Sequence, residues 1–218
     1  MREKTIAIKL QKNAMTQDVN FEKLKIFYKQ ILPTLTEEGW EYTKKMLSLR
    51  IIKKKEFVIR EGVVCDNISF INHGLVKMFY LADGKEKIMS FCNEMNYISD
   101  YQSFLSRKPS QIYIQAIEDT EVVETNYNNL QQLYKTVPEA NLLGRLIAEQ
   151  LFMTVYDNSI VEIKNSIEQR YLKLINDQPW LLQRVPQYMI ASYLGITPEA
   201  FSRIKARAGK QKPALKFA

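Results

Sequence analysis

The stretch VPQYMIASYLGITPEAFSRIKARAGK, residues 185–210, carries a helical pattern on both sides of one glycine, Gly195. A glycine inside a helix costs about 1 kcal/mol relative to alanine, so Gly195 marks the end of one helix and the turn into the next. Ahead of it, Pro186 suits a first helical position, where the missing N–H has no partner to lose, and Met189, Ile190, Tyr193 and Leu194 recur at helical spacing. Behind it, Thr197 can cap through its hydroxyl, Pro198 can open the helix, and Glu199 suits the positive end of the helix dipole. Phe201, Ile204 and Ala208 then repeat along one face, and Ala191 is small where two helices must approach. The pattern predicts a helix-turn-helix hinged at Gly195.

Charge separates this unit from an ordinary helical hairpin. From residue 181 onward seven basic residues (Arg184, Arg203, Lys205, Arg207, Lys210, Lys212 and Lys216) stand against Glu199 alone, so this tail holds a net +6 of the chain's formal +7. A basic excess confined to the second helix and its extension is the footprint of a phosphate-binding surface. The aromatics are not interleaved with these basic residues, which favours duplex DNA over RNA.

Upstream, SIEQRYLKLIND starts with Ser166 and Gln169 in capping-box positions, so a new helix begins there and a hinge falls near Lys164 and Asn165. Between Pro138 and that hinge the helical pattern is unbroken. Leu142, Leu143, Leu146, Ile147, Gln150, Leu151, Thr154, Val155 and Asn158 form a stripe long enough to call for a partner helix. Leu143, Leu146, Ile147, Gln150 and Thr154 are the candidate seam of a homodimer. Before residue 138 the period is that of strands. Runs rich in Ile, Val, Phe and Tyr are broken at Gly62, at Asn72-His73-Gly74 and at Asp83-Gly84, the last a strong hairpin signal. Two short helices, over residues 20–31 and 36–48, precede them, the second capped by Thr36. The expected fold is α+β: an antiparallel jelly-roll sensor domain with lead helices over residues 1–137, a dimerisation helix over 138–164, and a helix-turn-helix domain over 165–218.

No run approaches the roughly 18 apolar residues of a membrane span, and MREKTIAIKLQKNAM lacks a secretory core, so a cytoplasmic protein is expected. Two cysteines, Cys65 and Cys92, and one histidine, His73, are too few for a disulfide framework, a zinc site or an iron–sulfur cluster; buried thiols and a structural histidine are expected, with no metal and no cofactor. An enzyme would need a metal triad or an acid/base pair at defined spacing, and the scattered carboxylates offer neither.

The order of barrel, long helix and helix-turn-helix resembles the Crp/Fnr family of bacterial transcription regulators, relatives of the cyclic-AMP receptor protein, over nearly the whole chain. ISFINHGLVKMFYLADGKEKIMSFCNEMNYISDYQSFL is similar to the family's barrel segment. IASYLGITPEAFSRIK is similar to its recognition unit, with Glu199 and Arg203 where the family places its base-reading glutamate and arginine. The resemblance implies that residues 198–208 enter the major groove of a palindromic site. Arg203 would pair with guanine O6 and N7, and Glu199 would accept from a cytosine amino group. Pro198, Ser202 and Arg207 accompany them, and Gln187 with the first amides of its helix would hold a phosphate. Tyr188 and Lys205 are read either as DNA contacts or as packing and surface charge.

Two departures qualify the resemblance. Cyclic-nucleotide binders of the family present a Gly-Glu pair and an Arg-Ser pair to the ribose and cyclic phosphate; here the matching positions are Ser99-Asp100 and Ser110-Gln111. Without the arginine, cyclic AMP is not the expected effector, and Arg107 and Lys108 are read as solvated loop charges. An unidentified small molecule held near Ser99, Asp100, Ser110 and Gln111, or protein concentration alone, would set activity. The second departure is the tail GKQKPALKFA, too short for the family's two-stranded wing. Homodimerisation, double-stranded DNA and RNA polymerase are the partners the resemblance implies. The rival reading is a ligand-binding sensor module that no longer binds DNA.

Overall fold

The computed structural model describes residues 21–210, with side chains to Ala208. The expectations for residues 1–15, for Lys212, Lys216 and the side chain of Lys210, and for a wing lie outside what is described. The chain forms two compact units, one of residues up to Met78 with Phe91–Gln150, the other of Phe79–Ser90 with the chain from Leu151 onward.

In the first unit, residues 21–31 form helix α1 and Glu37–Lys44 form α2, whose N-cap Thr36 accepts a hydrogen bond from the Gly39 amide. The second lead helix therefore stops four residues before the expected end, and strand β1 begins at Ser48. Eight strands follow in order: β1 Ser48–Ile52, β2 Phe57–Ile59, β3 Asn67–His73, β4 Val76–Ala82, β5 Lys85–Cys92, β6 Tyr97–Ile98, β7 Tyr113–Ala116 and β8 Thr120–Asn126. A short helix, α3 (Tyr101–Ser106), lies between β6 and β7. The strands make two four-stranded sheets, β1-β8-β3-β6 and β2-β7-β4-β5, the jelly roll anticipated.

Strand β3 is buried over the run Ser69–Asn72 rather than alternating, because both sides of its sheet are covered. Ile71 and its register partner Val122 join the barrel core with Ile52, Ile98, Phe104 and Ile114. Phe70 and its partner Val123 pack instead with Leu24 and Trp40 of the lead helices. There the Tyr97 hydroxyl donates to that of Tyr28 at 2.7 Å. Burial pushes both phenols up, Tyr28 to about 12, so this pair stays neutral across the physiological range.

Helix α4 (Tyr127–Thr136) leads into α5, which spans Pro138–Lys164 as expected. The start of α5 is anchored in the first unit. Leu143 is buried, and the Thr36 hydroxyl donates to Glu139 Oε1 at 2.9 Å. Gly144 lies against the ring of Tyr134, so that a Cβ there would fall 2.4 Å from its hydroxyl oxygen and 2.7 Å from ring carbons. Alanine at 144 brings about 1 kcal/mol of helix propensity but an overpacking cost of roughly 1–3 kcal/mol. Gly144→Ala is therefore expected to lower stability by about 1 kcal/mol in denaturant unfolding. In a Tyr134→Ala background the sign should reverse, because the clash has gone and the propensity gain remains.

The second unit contains the tip of the β4–β5 hairpin, where Asp83 and Gly84 take φ of 51° and 70°, the two positive values of a type I′ turn. It also holds four helices after α5: α6 Ile167–Asp177, α7 Leu181–Arg184, α8 Gln187–Tyr193 and α9 Pro198–Lys210. The capping box at the start of α6 is complete: Gln169 N–H donates to Ser166 Oγ, and Ser166 N–H donates to Gln169 Oε1. The four-residue α7 was not legible in the sequence.

Candidate nucleic-acid interface

Helices α8 and α9 pack on α6 through a small apolar core of Tyr171, Leu174, Leu181, Val185, Ile190, Ala191, Leu194 and Phe201, all buried. The rings of Tyr171 and Phe201 meet edge to face, with centroids 5.4 Å apart. Between the helices, Gly195 has φ +73°. Its N–H donates to Ser192 O, and the Ile196 N–H donates to Ala191 O, both at 3.0 Å. These two bonds complete a Schellman motif, which closes the end of α8 and needs a left-handed residue at this position. Pro186 sits one place earlier than expected, at the N-cap of α8. Thr197 caps α9 by accepting from the Ala200 amide at 3.2 Å.

Phe201 anchors the inner face of α9, so positions two before and one or two after it point outward. Pro198, Glu199, Ser202, Arg203 and Lys205 are all exposed. Glu199, Ser202 and Arg203, at i, i+3 and i+4, share one face of the helix. Glu199 has its carboxyl held below the usual carboxylate range by a hydrogen bond from its own backbone N–H, then by the Thr197 hydroxyl, with Arg203 adding attraction. It is an ionised acceptor throughout the neutral range. Ser202 donates to Pro198 O within the helix. Gln187 and Tyr188 are exposed in the first turn of α8, Tyr188 at 57%. Arg207 differs from the rest: its guanidinium donates to Glu168 Oε1 of α6 at 2.9 Å, tying α9 to the helix beneath it.

The residues read as an effector pocket lie in the first unit around α3, and three of them already have partners within the chain. Ser99 donates to Asn67 O and touches the Cys65 thiol at 3.3 Å. Asp100 is the N-cap of α3 and accepts from the Ser103 amide. Ser110 is buried and closes a turn with Ile112, donating to its carbonyl and accepting from its amide. Gln111 is exposed. Arg107 is not the solvated loop charge expected from the sequence. It ends α3 at φ +57°, donates to Cys65 O and Phe104 O, pairs with Asp66, and lies 4.4 Å from the Tyr127 ring centre. Arg107, two residues before Pro109, thus staples α3 to the neighbouring loop. Lys108 is exposed, as read. Cys65 is buried and Cys92 half-buried, both as thiols. His73 is exposed and contacts Glu94 at 3.2 Å.

Along α5, Leu143 is buried in its own unit, Leu146 and Ile147 are half-buried, and Gln150 and Thr154 are exposed. Bare apolar side chains stand on several sides of the helix: Phe152 (68% exposed), Tyr156 (54%) and Ile163 (80%), with Met153, and with Leu142, Leu151 and Val155 of the stripe read from the sequence. At 100° per residue, Phe152, Tyr156 and Ile163 fall roughly 200–240° around the helix from Gln150, opposite the stripe that contains Leu143. The stripe read from the sequence holds Leu151 and Val155 but not Phe152, Tyr156 or Ile163, because this helix is apolar on every side from Leu151 to Tyr156 save Thr154, leaving no polar face to orient the reading.

Residues 49–137 match the family model of the cyclic nucleotide-binding domain. No curated protein matches the chain. Among solved structures, FixK2 from Bradyrhizobium japonicum is 18% identical, with 79% of this chain and 89% of that one covered and a TM-score of 0.63. The c-di-GMP responsive global regulator CLP from Xanthomonas campestris is also 18% identical, covering 82% and 95%, with a TM-score of 0.65. A CooA variant from Carboxydothermus hydrogenoformans is 19% identical, covering 83% and 84%, at 0.57. The likeness is one of fold along most of each chain. No helix among the described residues is long and apolar enough to cross a membrane.

Proposed function

For a chain that carries a cyclic nucleotide-binding domain and has the fold of the Crp/Fnr regulators, we propose sequence-specific recognition of double-stranded DNA by a homodimer. The observation that carries this reading is the outer face of α9. Glu199 and Arg203 stand exposed one turn apart on a helix fixed by the Schellman turn and the Phe201 anchor. In the major groove Arg203 donates a bidentate pair to guanine, and Glu199 accepts from a cytosine amino group. Ser202, Pro198 and Lys205 line the approach, and Gln187 and Tyr188 meet the phosphate backbone, setting register rather than sequence. Arg207 acts through Glu168, holding α9 in place.

The pairing face of the dimer is the bare stripe of Phe152, Val155, Tyr156 and Ile163, while Leu143 and its neighbours dock the same helix on their own unit. Two-fold pairing sets the reading helices about 34 Å apart, so the site is a palindrome with half-sites one turn apart. RNA polymerase is the partner such a dimer would meet on a promoter. Cyclic AMP is not the effector in this reading. Ser99, Asp100 and Ser110 are engaged in the chain's own hydrogen bonds, and Arg107, the nearest guanidinium, is paired with Asp66.

Selection from random duplex DNA at near-physiological salt tests the reading. Wild type should recover a palindrome. Arg203→Ala should bind that site about 5- to 100-fold more weakly and lose its preference for guanine at one position of each half-site. Recovery of no sequence by wild type, under conditions where it is folded and dimeric, would leave the sensor-module reading in its place.

A further inference from the structure

Strand β5 is an edge of its sheet, so one row of its backbone groups faces away from β4. At Glu86 and Ile88 that row is occupied. The hydroxyl of Ser192, on α8, donates to Glu86 O at 2.8 Å and accepts from the Ile88 amide at 3.3 Å. One side chain thus takes both hydrogen-bonding groups that a neighbouring strand would take. The strand is seated on the helix as well as bonded to it. Ile88 is 6% exposed within a run, Asp83 to Met89, that is otherwise exposed. The segment Phe79–Ser90 accordingly belongs to the same compact unit as the helix-turn-helix.

Ser192 lies one helical turn from Tyr188, at i and i+4, so the two share a face of α8. That is the helix whose first turn, Gln187 and Tyr188, meets the phosphate backbone under the reading proposed above. We propose that the β4–β5 hairpin is an autoinhibitory strap, latched across α8 by Ser192, and that DNA binding requires the strap to lift. A β-strand backbone within hydrogen-bonding distance of this face, carrying the Glu86 side chain, takes the space of the phosphodiester strand that would run along the same stripe. Lys85 and Lys87 balance Glu86 and Asp83, so the strap excludes the phosphodiester strand by the space it occupies rather than by net charge. The strands of the strap run on into the sheet β2-β7-β4-β5, so a ligand or partner that moves β5 changes the access of α8 to DNA without touching α9.

The inference rests on the DNA-binding reading, and the test keeps the two apart with paired measurements on full-length wild type, Ser192→Ala and Ser192→Thr. The first is hydrogen exchange of the Ile88 amide in free protein. The second is affinity for the selected palindrome. Loss of a latch made of two hydrogen bonds should speed Ile88 exchange in Ser192→Ala and tighten DNA binding about 5- to 10-fold, with Ser192→Thr close to wild type. Unchanged Ile88 exchange overturns the latch. Faster exchange with equal or weaker DNA binding keeps the contact and overturns its inhibitory role. If neither protein binds DNA in a sequence-selective way, the DNA-reading function falls, the inhibitory role falls with it, and the exchange data still decide the latch.

Discussion

If the proposed dimer pairs through the bare stripe of α5, aspartate in place of Phe152 is expected to leave monomers at micromolar concentration and to abolish tight binding to a palindromic site, while leaving each monomer folded. Phe152 is 68% exposed and stacks only on Tyr156 of its own helix, with ring centroids 6.5 Å apart, so the change removes little from the isolated chain. Across a two-fold seam it places a carboxylate from each subunit in apolar surroundings. Burying an unpaired charge costs several kcal/mol per ion, so the dimer dissociation constant should rise by at least about 1,000-fold. A monomer reads one half-site, and its affinity for the full palindrome should fall by about 100-fold or more. Sedimentation equilibrium and a DNA titration on the same preparations check both halves, with Phe152→Leu as the control that keeps an apolar seam. A dimer that survives Phe152→Asp would move the pairing face to another side of α5.

Gly74→Ala is expected to cost the barrel about 3–4 kcal/mol, a large part of the stability of an ordinary domain. Two effects add at this site. The backbone is at φ +113°, a conformation that side chains rarely adopt. An added Cβ would also fall 2.4 Å from Thr120 Oγ1 and 2.6 Å from its Cα, the latter backbone in a buried strand that cannot swing away. The clash threatens more than space. Thr120 Oγ1 accepts from the Leu75 amide and donates to Glu118 O, and the Gly74 amide donates to Glu94. Gly62→Ala isolates the first effect. Its φ is +83° and nothing stands within 4 Å of the new Cβ, so its loss should be only about 1 kcal/mol. Denaturant midpoints for the two variants measure the difference, and equal losses would mean that the close approach to Thr120 relaxes freely.

The features readable from sequence were those that physical chemistry writes locally. Ser166 and Gln169 announce a capping box because both halves of it lie within four residues, and Gly195 announces a Schellman turn because only a left-handed residue closes α8 that way. Asp83-Gly84 fixed a hairpin, and Pro138 fixed the start of α5, for the same reason. The exposed face of α9 was legible because Phe201 defines the inside and leaves Glu199 and Arg203 outside, while the base-reading role proposed for them comes from the family resemblance. What stayed hidden depends on partners far away in the chain. Arg107 sits two residues before a proline in a polar loop, yet its role is set by Asp66 and Tyr127. Arg207 looks like one more basic residue on α9 until Glu168 appears beside it. Ser192 is an ordinary helix residue whose two bonds run to a strand more than one hundred positions earlier.

Helix α5 is held at both ends and bare between them. Its root is clamped by Glu139, Leu143 and the notch at Gly144, and from Leu151 through Ser159 every residue is exposed. That bare stretch is about two and a half turns long, and beyond it Ile160 and Val161 are half-buried and Glu162 pairs with Arg170 of α6 at 3.6 Å. In the proposed dimer a partner helix covers this stretch, so the spacing of the two reading helices would be set by association itself. On that reading subunit abundance is an input in its own right, because only the paired helices present the geometry that a palindrome demands.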